Sequence, residues 1–261
     1  MSYTFHFATL LPFADRLLDG LSVTLSLAGQ AIAVSFAVGM LGAVARSSRV
    51  RPFRAVAAAY VELIRNTPFI IQAFIIYFGL AKIGIRLSSE TSALIALSLN
   101  GGAYLTEIIR GGLKAVLPGQ YEAGRALGLS EAHIYREIVL LQAIRAAFPA
   151  IVSEFIVIFL GTSVCSIIAV DELTGTATSI DSQILRSLEI YTVLMAVYLA
   201  ISMLISVAGY AVERAFLSWG ETRQGASIRE LVNLRLSGWF PRGENLAKSA
   251  IISAGEGGEV K

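Results

Sequence analysis

Apolar stretches separated by short polar segments make up most of the first 217 residues of this 261-residue chain. A helix needs roughly 20 apolar residues to cross the hydrocarbon layer of a bilayer, and five stretches reach that length. They lie at about 21–45, 55–80, 90–111, 146–170 and 188–211. We therefore predict an all-α membrane protein with a five-span core, a short segment at 1–20, a loop at 171–187 and a partly disordered tail at 218–261.

The composition excludes an ordinary soluble domain, because 55% of the residues are hydrophobic and only 15% are charged. No basic region precedes the first apolar residues, so we expect no cleaved signal peptide and a first span that stays in the lipid bilayer. With two histidines and one cysteine, the chain offers no ligand set for a metal. Small residues at every fourth position of the first span predict a close helix contact, although membrane helices are generally rich in such residues. They are Ala31, Ser35, Gly39 and Ala43.

Lysine and arginine residues are distributed unevenly between the two sides of the predicted spans. Sixteen of them fall in 46–54, 110–145 and the tail from 214, whereas four fall in the segments of the opposite side. Segments rich in positive charge stay in the cytoplasm. We therefore predict that the N-terminus is outside, that the C-terminal tail is cytoplasmic, and that the segment between the third and fourth spans faces the cytoplasm.

That segment, at about 118–140, is charged, yet its apolar residues keep helical spacing. Pro118 suits the first turn of a helix, and Gly128 can take the left-handed conformation that ends one. Ser130 can cap the following helix, with Glu131 favourable in its first turn. The pattern predicts two helices joined by a glycine corner, a projection that fits a socket on a soluble partner. An ordinary amphipathic loop is the alternative interpretation.

The same segment resembles the coupling-loop motif of the permeases of binding-protein-dependent ABC importers. That motif reads Glu-Ala-Ala, three residues, Gly, nine residues, Ile, any residue, Leu-Pro. The matching positions in this chain are Glu122, Ala123, Gly124, Gly128, Ile138 and Leu140. Gly124 stands where a second alanine is usual, and Leu141 stands where proline is usual. The resemblance implies that these residues couple the membrane domain to a partner ATPase.

Two further segments, 60–68 and 100–107, resemble parts of polar-amino-acid permeases of the histidine and glutamine type. Over residues 20–215 the resemblance implies a type I ABC importer transmembrane domain in the bacterial inner membrane. It implies as partners a second permease subunit, identical or homologous, an extracytoplasmic amino-acid-binding protein, and ATPase subunits that bind ATP and Mg²⁺. The implied function is ATP-driven import of a polar or basic amino acid by alternating access.

The chain has no Gly-Lys dipeptide and therefore no phosphate-binding loop of the GxxxxGK[ST] kind. We accordingly expect no ATP site of that kind in the chain itself. The resemblance to importer permeases further implies that the chain binds no cofactor of its own, that it is not itself an enzyme, and that nucleic acid is not among its partners. The alternative function is a proton-coupled secondary amino-acid transporter. In that case Glu62, Glu107 and Glu154 would carry protons.

Inserting an ionisable residue at the bilayer centre costs roughly 2.5–3.5 kcal/mol of free energy, so such residues inside spans indicate a structural or functional role. Glu62 and Arg65 are three positions apart and share a helix face. They form either a pair that lines the translocation path near its inner mouth or a structural pair within the helix. Glu107 and Arg110 repeat this spacing near a span end, where we expect their side chains to extend to the interface.

Glu154 lies about 12 Å along the fourth span at 1.5 Å per residue, near mid-depth. We hypothesise that it receives the amino group or a cationic side chain of an amino-acid substrate; the alternative is a protonated or locally paired glutamate that supports packing. Further along, Gly161, Thr162 and Ser163 resemble a segment that commonly reads Lys-Asp-Thr-Ser-Leu, with Gly161 in the place of Asp. There Thr162 and Ser163 offer hydroxyls to a substrate carboxylate, and Gly161 permits close approach.

Overall fold

A computed structural model describes residues 5–217 of the protein, and within that range the chain forms helices and short connections without a strand. The predicted tail at 218–261 lies outside the described residues. Eight helices follow a 3₁₀ turn at Phe7–Phe13. They are α1 (Ala14–Ser47), α2 (Arg51–Arg65), α3 (Phe69–Lys82), α4 (Ser89–Ala115), α5 (Pro118–Ala126), α6 (Glu131–Ile168), α7 (Leu173–Ile184) and α8 (Ser187–Val212).

Four of these helices, α1, α4, α6 and α8, are long and apolar enough to cross a membrane. The predicted span at 55–80 is instead two helices, α2 and α3, with a bend of 107° between them. Pro68 accounts for the break, because proline donates no backbone hydrogen bond and disfavours a helical conformation in the residue before it. The described chain therefore has four spans, or five if α2 and α3 together make one.

Helix α4 lies between α1 and α6 and forms the centre of the described unit. The close contact predicted for the first span is confirmed, because Ala31, Ser35, Gly39 and Ala43 are all buried. A Cβ atom on Gly39 would lie only 2.5 Å from Cβ of Leu105 in α4. Small residues thus bring the two helix backbones together, as they do in many membrane proteins.

The segment that follows α4 contains the predicted glycine corner, but its second helix differs from the prediction. Helix α5 begins at Pro118, and Gly128 has a φ of +73°. The second helix, however, is not a separate element, since α6 runs from Glu131 through to Ile168 and includes a π-helical turn at Ile134–Val139. Leu141, in place of the motif's proline, keeps the backbone N–H that lets this helix continue.

The loop predicted at 171–187 is wrong, because most of this segment is helix α7. Glu172 caps the helix by accepting a hydrogen bond from the backbone N–H of Gly175 at 2.8 Å. The apolar side of α7 packs against the N-terminal turn and α8, in a cluster formed by Leu10, Leu173, Ala177, Ile180, Ile190 and Leu194. Its apolar residues have helical spacing, a signal that the abundance of Ser and Thr obscured.

Candidate functional site

An open cavity of about 610 Å³ lies where the break between α2 and α3 faces α4 and α6. It is lined by the residues of the break itself, by polar side chains of α4, and by an acid and a valine on α6. They are Arg65, Asn66, Thr67, Pro68, Phe69, Asn100, Tyr104, Glu154 and Val157. The cavity volume falls within the range of small-molecule sites.

Glu154 is the acid of this cavity and is only 7% exposed. Its Oε1 atom is buried and has no hydrogen-bond partner among the described residues. Arg65, from α2, lines the same cavity, yet its guanidinium lies over the ring of Tyr104, 5.2 Å from the centroid. The cavity therefore holds a carboxylate and a guanidinium that do not form an ion pair, a separation that suits a ligand with charges of both signs.

Gln72, in the first turn of α3, closes the break beside the cavity. Its Nε2 atom lies 2.8 Å from the backbone oxygen of Ile64 and 3.1 Å from that of Thr67. The last carbonyls of a helix have no partner within that helix, so this amide satisfies groups that the break leaves free. Its Oε1 atom accepts a hydrogen bond from Nδ2 of Asn100 in α4 at 3.1 Å. Sequence reasoning missed this contact, although Gln72 stands out as an amide in an apolar stretch.

Glu62 does not share the cavity with Arg65. Its side chain is exposed and accepts a hydrogen bond from Nδ2 of Asn66 at 3.2 Å. The expected pair of Glu62 and Arg65 does not form in the described part of the chain. Arg65 turns instead toward Tyr104, which offers its ring face to the cation.

Gly161, Thr162 and Ser163 also lie away from the cavity, where α6 tightens into its 3₁₀ end. Thr162 is fully buried, and its hydroxyl donates to the backbone oxygen of Phe159 at 2.7 Å. The exposed hydroxyl of Ser163 donates to the backbone oxygen of Leu160 at 2.7 Å. Each hydroxyl retains acceptor capacity, but the structure does not bring this group together with Glu154.

A second candidate site is the corner formed by α5 and the start of α6. The backbone N–H of Leu129 donates to the oxygen of Gly124 at 3.1 Å, and that of Gly128 donates to the oxygen of Arg125 at 2.9 Å. This pair of bonds is the Schellman arrangement that ends a helix at a left-handed glycine. Ser130 caps α6 as predicted, since its hydroxyl accepts from the N–H of His133 at 3.3 Å.

The motif residues divide into two groups at this corner. Gly124 and Gly128 shape it, the former buried against α6 and the latter at the turn. The others form or border its surface: Glu122, Ala123 and Leu140 are exposed, and Ile138 is half-buried. Large apolar side chains are exposed beside them, with Leu127 at 78% and Leu117 at 70%. Exposed apolar groups with a polar surround are typical of a protein-binding surface.

A cluster of three charged residues joins α1 to α4. Arg46 lies 3.0 Å from Oε1 of Glu107, and Arg110 donates to both carboxylate oxygens of Glu107 through Nε at 3.0 and 3.1 Å. Glu107 and Arg110 therefore form an ion pair, and the extension of their side chains to the interface stays a prediction. A carboxylate held by two guanidinium groups has a structural role in joining the helices, which does not favour Glu107 as a proton carrier.

Glu172 forms a further polar centre at the start of α7. Its fully buried carboxylate accepts hydrogen bonds from the hydroxyl of Tyr198 at 2.9 Å and from that of Thr24 at 3.3 Å. Burial raises the pKa of the Glu172 carboxyl, and these hydrogen bonds lower that pKa by a smaller amount. Glu172 thus links α1, α7 and α8. Among residues 5–217, no group of three or more His, Cys, Asp and Glu residues could hold a metal.

Comparison with known proteins places these features in a family. Residues 35–218 match the family described as binding-protein-dependent transport system inner membrane component. The chain is 38% identical over 201 residues to the nopaline transport system permease protein NocM of Agrobacterium fabrum, covering 73% of this chain and 83% of NocM. It is 30% identical over 213 residues to the arginine transport system permease protein ArtQ of Bacillus subtilis, covering 81% and 97%.

A solved structure agrees with these sequence matches. A crystal structure of an amino acid ABC transporter with histidines superimposes with a TM-score of 0.77 at 34% identity. The match covers 82% of this chain and all of that one.

Proposed function

Because the chain belongs to the family of binding-protein-dependent transport system inner membrane components, which are the permease subunits of ABC importers and not enzymes themselves, we propose that it imports a polar or basic amino acid across the bacterial inner membrane. Partner ATPase subunits bind ATP and Mg²⁺ and hydrolyse the ATP. An extracytoplasmic binding protein delivers the amino acid, and a second permease subunit, identical or homologous, completes the membrane domain.

The observation that carries this proposal is the separation of Arg65 and Glu154 in one cavity. The buried carboxylate of Glu154, with an unpartnered oxygen, binds the ammonium group or the cationic side chain of the substrate. Arg65 binds the substrate carboxylate from the other side. Leaving a buried polar group unpaired is costly, so a ligand that donates to Glu154 gains more affinity here than at an exposed acid.

We assign the remaining residues of the path to positions on either side of this cavity. We place Gly161, Thr162 and Ser163 toward the outside, seven to nine positions beyond Glu154 on α6, and Glu62 toward the inner mouth. During alternating access the substrate meets them in the outward-facing and inward-facing states respectively.

Coupling takes place at the corner between α5 and α6. Glu122, Ala123, Ile138 and Leu140 contact the ATPase, while Gly124 and Gly128 hold the corner in shape. The contact of Arg46 with Glu107 supports a cytoplasmic position of this corner, because it brings the ends of α1 and α4 together. The basic segments at 46–54 and 110–145 then lie on one side with α5, as expected for a cytoplasmic face with the N-terminus outside.

The test uses the permease, ATPase and binding protein reconstituted in liposomes. We expect Glu154→Gln to raise the concentration of L-arginine needed for half-maximal uptake by about tenfold or more, because one charge-assisted hydrogen bond is lost. Glu90→Gln, an exposed acid at the start of α4, is the matched control and should transport as the parent does. Unchanged affinity and selectivity in Glu154→Gln would exclude this acid, and uptake driven by a proton gradient without the ATPase would exclude an ABC mechanism.

A further inference from the structure

The orientation of the Gln72 side-chain amide is set by its surroundings. Its nitrogen faces the backbone oxygens of Ile64 and Thr67, which can only accept hydrogen bonds, and it also lies 2.8 Å from Oγ1 of Thr67. Turning the amide over would place its oxygen against two carbonyl oxygens. Gln72 is only 8% exposed, so water cannot readily replace these contacts. The oxygen of Gln72 must therefore point toward α4.

That oxygen in turn sets the orientation of Asn100. It accepts from Nδ2 of Asn100 at 3.1 Å, so the NH₂ group of Asn100 must face Gln72 and its carbonyl oxygen must face away. No described residue donates a hydrogen bond to this carbonyl oxygen. Asn100 lines the same cavity as Glu154, and its free oxygen is available to a ligand there.

We propose that Gln72 is a positioning residue that makes Asn100 an acceptor toward the cavity, so that Asn100 and Glu154 together bind the N–H groups of a cationic substrate. The inference rests on the proposed function, since it takes the cavity as the substrate site. With the Asn100 amide reversed, the cavity would offer an N–H donor beside Arg65 and would suit a substrate with an additional carboxylate. Gln72 thereby selects for ammonium or guanidinium groups without touching the substrate.

The test measures L-arginine binding by calorimetry to the purified permease–ATPase complex without the binding protein, so that only the membrane site is sampled. We expect Gln72→Met and Asn100→Ala each to weaken binding by about tenfold, the value of one hydrogen bond to a charged group. Because Gln72 acts through Asn100, the double variant should bind no more weakly than either single variant. Losses that multiply would overturn the proposal, since they would mean that Gln72 acts independently of Asn100. Gln30→Met, on α1 and outside this cavity, is the matched control.

A second variant tests whether Gln72 positions Asn100 if Gln72→Met does not give a stable complex. In Asn100→Asp the new carboxyl group faces the side-chain oxygen of Gln72, which can only accept a hydrogen bond. The carboxyl group must therefore stay protonated in order to donate to it. We therefore expect no gain in L-arginine affinity despite the added acid. A gain of tenfold or more would show that the side chain turns freely and would overturn the proposal.

Glu154→Gln, measured in the same way, separates this inference from the proposed function. If Glu154→Gln binds L-arginine like the parent, the cavity is not the substrate site and both proposals fail. If Glu154→Gln weakens binding while Gln72→Met and Asn100→Ala do not, only the positioning role of Gln72 fails.

Discussion

Gly124 on α5 packs directly against Ile134 on α6, and a Cβ atom at Gly124 would lie 2.7 Å from Cγ1 of Ile134. Both residues are buried, Ile134 completely. The space that an alanine usually fills in the coupling-loop motif is thus occupied by the isoleucine. The departure of Gly124 from the motif is therefore not a neutral exchange of one small residue for another, because it depends on the residue ten positions later.

We predict that Gly124→Ala destabilises the corner. Overpacking costs about 1–3 kcal/mol, and the better helix propensity of alanine returns about 1 kcal/mol, so the net loss is up to about 2 kcal/mol. Melting of the purified permease–ATPase complex measures it. Gly119→Ala is the matched control on the same helix, since its Cβ would meet nothing within 4 Å. Combination with Ile134→Ala should remove the overpacking, and a Gly124→Ala variant as stable as Gly119→Ala would contradict this account.

At Gly128 the constraint is the backbone conformation and not the available space. Its φ is +73°, and a Cβ there would meet nothing within 4 Å. Most L-residues lose about 1–2 kcal/mol in this region, whereas asparagine tolerates it. We predict that Gly128→Val lowers the amount of substrate transported per ATP hydrolysed and that Gly128→Asn keeps it close to that of the parent. Equal coupling in both variants would show that the left-handed turn is dispensable.

The ion pairs that Glu107 forms with two arginines should contribute more to stability than the single ion pair of Glu131. The side chain of Glu107 is 16% exposed and contacts two arginines, whereas Glu131 pairs with Arg125 at 2.6 Å with both side chains more than half exposed. Removing the charge at Glu107 leaves partly buried cations unpaired, which costs about 1–3 kcal/mol. We predict a clear fall in melting temperature for Glu107→Gln and little change for Glu131→Gln. Equal shifts in the two variants would be inconsistent with a role of Glu107 in joining α1 to α4.

The sequence predicts the features that depend on neighbouring residues. The glycine corner depends on Pro118, Gly128 and Ser130, whose effects act within one or two turns, and the structure confirms it. The contacts of Gln72 with Asn100 and of Arg46 with Glu107 join residues 28 and 61 positions apart. No local pattern indicates such pairs, because they arise only when packing brings separate helices together. The sequence indicates Arg65 and Glu154 as ionisable residues inside spans, but only the fold places them in one cavity.

The buried carboxylate of Glu172 should make the stability of the protein depend on pH. Burial raises its pKa above the ordinary value of 4.5, so the folded chain holds this proton more tightly than the unfolded chain. The folded state therefore loses stability as the pH rises from about 4.5 through the raised pKa, and the loss is complete above it.

Glu172→Gln tests this pH dependence directly. Glutamine keeps an acceptor for the N–H of Gly175 and cannot ionise, so the melting temperature of the parent should fall relative to that of Glu172→Gln as the pH rises through this window. Asp171→Asn, at the exposed neighbouring position, controls for a general effect of removing a negative charge. Melting curves of the parent and of Glu172→Gln that stay parallel across the window would mean that this carboxyl titrates alike in the folded and unfolded chains.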